Sequence, residues 1–272
     1  MRVRLIFGLV NKGAYVPFHH QYLIHEFLST YIEQYFSSSP GKSSTSYYNF
    51  SALKGQTRVG KDGLHFYSSK ITLILSSNDV KLLEFAVKKI FDEPQVMVGK
   101  LILNPLHADK EELPDFTNEM KYICLSPLSI ISAADNNVDA KRFINPSLDV
   151  FSDALYETTM SRMEKAGFTQ EELAQYFQFQ LVPDKDYLNK IKGEEKKFAR
   201  IFPVYMSGEK HEVRGYTFPF KLYAHPKVQE FVFTCGFGLY TDKGFGMLDI
   251  ANSDPNKRVL PFIAAKEGAS EV

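Results

Sequence analysis

Apolar and polar positions alternate from the start of the chain. Over residues 2–10, Val3, Leu5, Phe7 and Leu9 fall on one side, the period of a half-buried strand. Asn11-Lys12-Gly13 turns the chain. From residue 19 to residue 36, Ile24, Phe27, Leu28, Tyr31 and Tyr35 recur at intervals of three and four. That spacing predicts a helix with one buried stripe, and it puts Tyr22, His25, Glu26 and Ser29 on the opposite or flanking faces. Pro17 suits the helix entry, where the first N–H groups lack partners anyway. The run Ser37-Ser38-Ser39-Pro40-Gly41-Lys42-Ser43-Ser44 ends the helix as a polar loop.

Strands are expected at 47–53, 63–68 and 70–75, a second helix at 78–91, and a strand at 95–103. Val80, Leu83, Val87 and Ile90 share one face of that helix, and Asn78 or Asp79 can cap it. The order is β-α-β-β-α-β, that of a ferredoxin-like unit and of RNA recognition modules. The acidic stretch 107–116 reads as a linker. A second half follows, with a strand starting at 120–130 and a helix at about 147–166. Further strands are expected at 177–182, 197–205, 213–223 and 228–234. The expected fold is α+β: two tandem ferredoxin-like (RRM-like) domains, 1–106 and 119–272, joined by residues 107–118. Their antiparallel sheets carry helices on one face, and the tail after Pro255 is expected to fray.

The most distinctive segment is Cys235-Gly236-Phe237-Gly238-Leu239-Tyr240-Thr241-Asp242-Lys243-Gly244-Phe245-Gly246-Met247. Glycines permit positive φ and close approach of a backbone to a ligand. Successive free N–H groups can form an anion-binding concavity, to which Lys243 adds a charge. Flanked by apolar runs at 230–234 and 245–250, the segment reads as a hairpin loop on a sheet edge. It lacks the G-K-[ST] of a Walker loop, and the expected strand after it excludes a dinucleotide fingerprint.

With 44% hydrophobic residues among 272, the chain can bury a substantial core. Its two cysteines, Cys124 and Cys235, supply neither a disulfide framework nor a metal cluster. No apolar run reaches membrane-span length and no signal peptide is read, so a cytoplasmic protein with no membrane attachment is expected. Net charge is zero, which argues against a generic polyanion binder. The distribution is uneven, however. Up to Thr72 the bases Arg2, Arg4, Lys12, Lys42, Lys54, Arg58, Lys61 and Lys70 oppose only Glu26, Glu33 and Asp62, enough to present one basic face.

Three stretches resemble the CRISPR repeat-processing endoribonucleases, a branch of the repeat-associated RNA-binding superfamily. They are Pro17-Phe18-His19-His20-Gln21-Tyr22, Leu125-Ser126-Pro127-Leu128, and Gly215-Tyr216 leading to the doubled glycine pattern. The resemblance implies tandem ferredoxin-like domains and metal-independent cutting of CRISPR repeat RNA in the precursor transcript, with no cofactor. It also implies retention of the product as guide RNA. Candidate partners are the repeat RNA, effector-complex subunits and a second copy of the chain. A non-catalytic RNA-binding subunit of an effector complex is the alternative.

The chemistry needs no metal, because RNA carries its own nucleophile, the 2′-hydroxyl. A protein must align it, remove its proton, protonate the leaving 5′-oxygen and offset charge on the phosphorane. Histidine titrates near neutrality and suits either proton transfer. In the family the catalytic histidine lies on the first helix or just after it, and no histidine occurs between Glu26 and Leu64. His25, one turn after Tyr22, is the first choice. Lys42 could replace or assist it, Tyr22 could position a phosphate, and His20, projecting toward the buried stripe, is a further catalytic candidate with a structural alternative. RNA contacts are assigned to Gly236, Gly238, Lys243, Gly244, Gly246 and Arg214. No metal site is expected.

Overall fold

The computed structural model describes residues 1–39, 41–42, 45–131, 143–193 and 198–262. Pro40, Ser43 and Ser44 of the expected loop, Lys197 of an expected strand, and the expected frayed tail from residue 263 onward lie outside the described residues.

The first half is built around β1 (Arg2–Leu9). Its alternation is what the sequence predicts: Val3, Leu5, Phe7 and Leu9 all enter one core. β6 (Lys70–Ser77) and β8 (Leu101–Glu111) pair antiparallel on its two sides. β3 (Tyr48–Phe50) extends the sheet beyond β6, and β7 (Val96–Val98) pairs with β8. Helices α1 (Gln21–Ser38) and α2 (Val80–Asp92) bury Ile24, Phe27, Leu28 and Leu82, Leu83, Ile90 against that core. The Asp79 carboxylate caps α2 by accepting from the N–H groups of Lys81 and Leu82. A separate three-stranded sheet, β2 (Tyr15–Val16), β5 (Leu64–Phe66) and β4 (Thr57–Val59), flanks this half.

The second half repeats the plan. β9 (Glu119–Cys124), α3 (Asp149–Lys165), β10 (Phe179–Pro183), β13 (Phe220–Ala224), α6 (Pro226–Cys235) and β14 (Leu248–Ile250) follow in that order along the chain. The sheet order is β10-β13-β9-β14, all antiparallel. Two short helices, α4 (Gln170–Leu173) and α5 (Lys185–Gly193), flank β10 in sequence. The hairpin of β11 (Ala199–Met206) and β12 (Glu209–Tyr216) forms a sheet of its own. Two ferredoxin-like topologies in tandem are the outcome expected from the sequence.

Several element readings are corrected. The expected strand 228–234 is helix α6. Only Pro226, Lys227 and Glu230 escape burial in this helix, so an almost unbroken apolar run leaves too short a polar stripe to distinguish it from a strand. Pro226 at its first turn and the His225 ring accepting from Lys227 N–H mark its start. The expected strand 213–223 is two strands in different sheets, broken before Phe220 next to Pro219, which cannot donate to a ladder. Residues 107–111 of the expected linker belong to β8, where Ala108 pairs with Leu5. The chain then returns to the first sheet through β15 (Val259–Pro261), paired with β8, in a region expected to fray.

A buried arginine joins the halves. Arg2, on the face of β1 away from the helices, lies 3.0 Å from the Glu111 carboxylate, donates to the Leu248 carbonyl at 2.8 Å, and stacks over Phe233 at 4.2 Å. Both side chains are fully buried, so each charge depends on its partner. No helix among the described residues is long and apolar enough to cross a membrane.

Candidate active site

The glycine-rich segment is a buried connection between α6 and β14, not an exposed hairpin. Gly236, Gly238, Gly244 and Gly246 are all buried, with φ of +80°, +81°, +79° and +74°. A Cβ on Gly236 would stand 2.0 Å from Asn49 Nδ2, and one on Gly246 1.9 Å from the Phe237 carbonyl oxygen. Their own chain, not a ligand, makes the close approach. The N–H groups of Phe237, Leu239, Lys243, Gly244, Phe245 and Gly246 already donate to carbonyls within the protein. Arg162, from α3, donates to the carbonyls of Cys235 at 2.6 Å and Gly236 at 2.7 Å, and stacks over Tyr47. The bare-backbone phosphate cradle expected from the sequence is therefore corrected, and the RNA-facing assignment of the four glycines with it. What the segment exposes in part is Leu239, Tyr240, Asp242 and Lys243, the last two on a 3-10 turn at Thr241–Lys243.

That turn meets α1. His25 Nδ1 lies 3.0 Å from the Asp242 carbonyl oxygen, and His25 Nε2 lies 2.8 Å from Lys243 Nζ. A carbonyl only accepts and an ammonium only donates. Both bonds are satisfied by one state: a neutral ring with its proton on Nδ1 and its lone pair on Nε2. Burial, and after it the Lys243 ammonium, hold the imidazole pKa below its ordinary value, against upward pulls from Asp242 and Glu33. Near neutral pH His25 is therefore an uncharged base beside a cation, whose Nζ also lies 3.3 Å from the Asp242 carboxylate.

The helical repeat places Tyr22, His25 and Ser29 along one side of α1, with His19 in the turn just before it. The β11–β12 hairpin faces this row. The His19 ring sits 4.4 Å from that of Phe202, and Tyr22 5.3 Å from Tyr205. The hairpin in turn rests on the glycine segment, with Phe202, Val204, Val213 and Phe245 forming a small core. Clefts open on both sides of the His25–Lys243 pair. One, of about 390 Å³, is lined by Tyr22, Glu26, Ser29 and Tyr205; the other, of about 450 Å³, by Glu33, Tyr48, Arg162 and Tyr240. His25 and Lys243 line both. A base and an acid or charge stabiliser thus sit at the midpoint of a groove that could hold a chain on either side.

Of the residues singled out from the sequence, Tyr22, His25 and Lys243 come together. His20 does not join them. It is buried, its Nδ1 faces the Pro17 carbonyl at 3.2 Å, and its Nε2 accepts from Leu53 N–H at 3.4 Å. Burial pushes its pKa down to about 4. Lys42 lies past the C-terminal end of α1, whose last residue, Ser38, is about 20 Å along the helix from His25 at about 1.5 Å per residue. There it faces the Asp79 carboxylate at 3.8 Å. Arg214 is exposed on β12 opposite Ile201 and lines neither cleft. Sequence reasoning missed Tyr205, the Asp242 carbonyl and Arg162. An arginine inside a predicted helix and a tyrosine inside a predicted strand gave no local signal. The His25–Lys243 contact spans 218 positions. Among the described residues, no group of three or more His, Cys, Asp or Glu side chains is placed to hold a metal ion.

Comparison with known proteins agrees with this architecture. A chain of Pyrococcus furiosus named as a CRISPR-associated endoribonuclease-like protein Cas6 is 22% identical over 260 residues, covering 92% of this chain and 98% of that one. The solved structure of a Cas6-related gene product from Pyrococcus furiosus superposes with a TM-score of 0.73 at 18% identity, covering 93% and 99% of the two chains. That of a RAMP protein binding different RNA substrates superposes with a TM-score of 0.72 at 17% identity, over 92% and 99%. The family described as "CRISPR associated protein Cas6, C-terminal" matches residues 109–250, more than half of the chain and the whole span from β9 to the end of β14. The chain belongs to the Cas6 family of CRISPR-associated proteins.

Proposed function

We propose that this chain is a metal-independent endoribonuclease that cuts CRISPR repeat RNA in the precursor transcript to make guide crRNAs. The observation that carries the proposal is the 2.8 Å contact between His25 Nε2 and Lys243 Nζ at the meeting point of two clefts. Membership of the Cas6 family supports RNA as the substrate, as does the fold shared with a protein solved as an RNA binder.

His25 Nε2 takes the proton of the 2′-hydroxyl, and the freed oxygen attacks the adjacent phosphorus in line. Lys243 offsets the charge gathering on the phosphorane and gives a proton to the departing 5′-oxygen. The products are a 2′,3′-cyclic phosphate and a 5′-hydroxyl. Passage of the proton from His25 Nε2 to Lys243 Nζ then restores the starting state, so protons balance over one turnover. A base transfer of this kind contributes about 10²–10⁴ in rate. The partly exposed Tyr22 and Tyr205 rings flank the groove, where they can hold a base by stacking. Lys42 and His20 take no part in this scheme.

Incubation with repeat RNA from the chain's own genome in excess EDTA tests the proposal. Discrete cutting with cyclic-phosphate ends is expected. Cutting that begins only when Mg²⁺ is added would overturn the mechanism. Firm retention of uncut RNA would point to a non-catalytic RNA-binding subunit instead.

A further inference from the structure

A second surface carries chemistry that the proposed active site does not use. It is formed by the small β2-β5-β4 sheet and the turn at residues 11–13. Arg58, exposed on β4, stacks over the exposed Tyr67 ring at 4.8 Å. Lys100 Nζ lies 4.5 Å over the Tyr15 ring, whose face is 5.2 Å from that of His65. The two cation–ring pairs belong to one patch. His65 Nδ1 faces the Gly13 carbonyl at 2.9 Å, Gly13 N–H donates to the Phe66 carbonyl at 2.7 Å, and Asn11 Nδ2 donates to the Lys100 carbonyl at 2.8 Å.

The charge is one-sided. Residues 10–18 and 55–70 hold Lys12, Arg58, Lys61 and Lys70 against a single carboxylate, Asp62, in a chain of zero net charge. Cations held flat against aromatic rings, with partners anchored by backbone bonds, are what a single-stranded nucleic acid needs: charge for its phosphates and flat faces for its bases. Exposed apolar side chains occur here, Val59, Tyr67 and Phe18 among them, but a folded protein partner would have to match the basic excess with acids, whereas a nucleic acid matches it with its own phosphates. β2 runs directly into Phe18 and His19 at the head of α1, so the patch is continuous with the helix that carries Tyr22 and His25.

We propose that this face is a second binding site for single-stranded RNA, holding the part of the substrate that lies outside the cleaved bond through Arg58, Lys100, Tyr67 and Tyr15. The inference rests on the reading of the chain as an RNA-cutting protein.

The test compares wild type with Arg58→Ala/Lys100→Ala, using the full repeat RNA titrated at several salt concentrations. Both substituted side chains are exposed and line neither cleft beside His25 and Lys243, so the fold should not change. Binding should weaken by about tenfold at physiological salt. The slope of log affinity against log salt should become shallower by about 1.4, the value for two phosphate contacts to a single strand. Repeat RNA carrying 4-thiouridine should cross-link to peptides containing Tyr15 or Tyr67. A wild-type protein that binds and cuts RNA, with a variant of the same affinity and slope and no such cross-links, would overturn this site alone and leave a protein partner as the account of the patch. A wild-type protein without RNA affinity would overturn the proposed function as well.

Discussion

Replacing His25 with alanine is expected to lower single-turnover cleavage of repeat RNA by about 10²–10⁴, the range for loss of one general base. RNA affinity should be nearly unchanged. The variant removes the base without removing Lys243, whose charge still faces both clefts. It should also fold. What is lost structurally is two partly buried hydrogen bonds, to the Asp242 carbonyl and from Lys243 Nζ, about 1 kcal/mol for the first and about 1.5–3 for the charged second. The measurement is a burst experiment with excess protein, beside a filter-binding titration. A variant that cuts at the wild-type rate would remove His25 from the site. One that neither cuts nor binds would mean that the contact with the glycine segment holds the groove open and does no chemistry.

The second large effect is on stability. Gly246→Ala should destabilise the fold by about 2–5 kcal/mol: about 1–2 for placing a Cβ residue in the left-handed region, and about 1–3 for overpacking. The second part follows from the 1.9 Å between an added Cβ and the Phe237 carbonyl oxygen, a backbone atom that cannot rotate away. Gly208→Ala is the control. It has φ of +83° but nothing within 4 Å of an added Cβ, so only the conformational part should appear. Urea denaturation of both variants measures the difference. Equal losses would mean that the glycine segment is not packed as described. The altered segment should also move Lys243, so residual folded Gly246→Ala protein is expected to cut slowly.

Much of the framework is legible in the sequence, for a physical reason. β1 and α1 each bury one face, and one-sided burial writes a period into the chain. The same reasoning fails for α6, which is buried over most of its surface, and for residues 107–111, whose charges made a sheet strand look like a linker. Glu111 is acidic but fully buried against Arg2, a pairing set by tertiary contact alone. The site was legible in pieces. His25 stood out through its spacing from Tyr22, and Lys243 through its position between glycine pairs. Their union was not legible, because it depends on how the second half docks against α1. The glycines were singled out correctly as unusual and given the wrong task. Positive φ and close approach are required, but by Asn49 and the Phe237 carbonyl.

The most direct measurement is the pH dependence of single-turnover cleavage in EDTA by wild type and by Lys243→Gln. If neutral His25 is the base, the rate rises with pH through the folded pKa of its ring. In wild type, burial and then the Lys243 cation lower that pKa, while Asp242 and Glu33 raise it, and Tyr22 and Glu26 face it across the cleft. The acid limb should therefore lie below pH 6.5, the ordinary histidine value. Removing the cation eases protonation of the ring, so the limb should move to higher pH in Lys243→Gln while the plateau rate falls. A limb that stays in place in the variant, or a wild-type limb above the ordinary histidine range, would contradict the assignment of His25 and Lys243 as one proton-transferring pair.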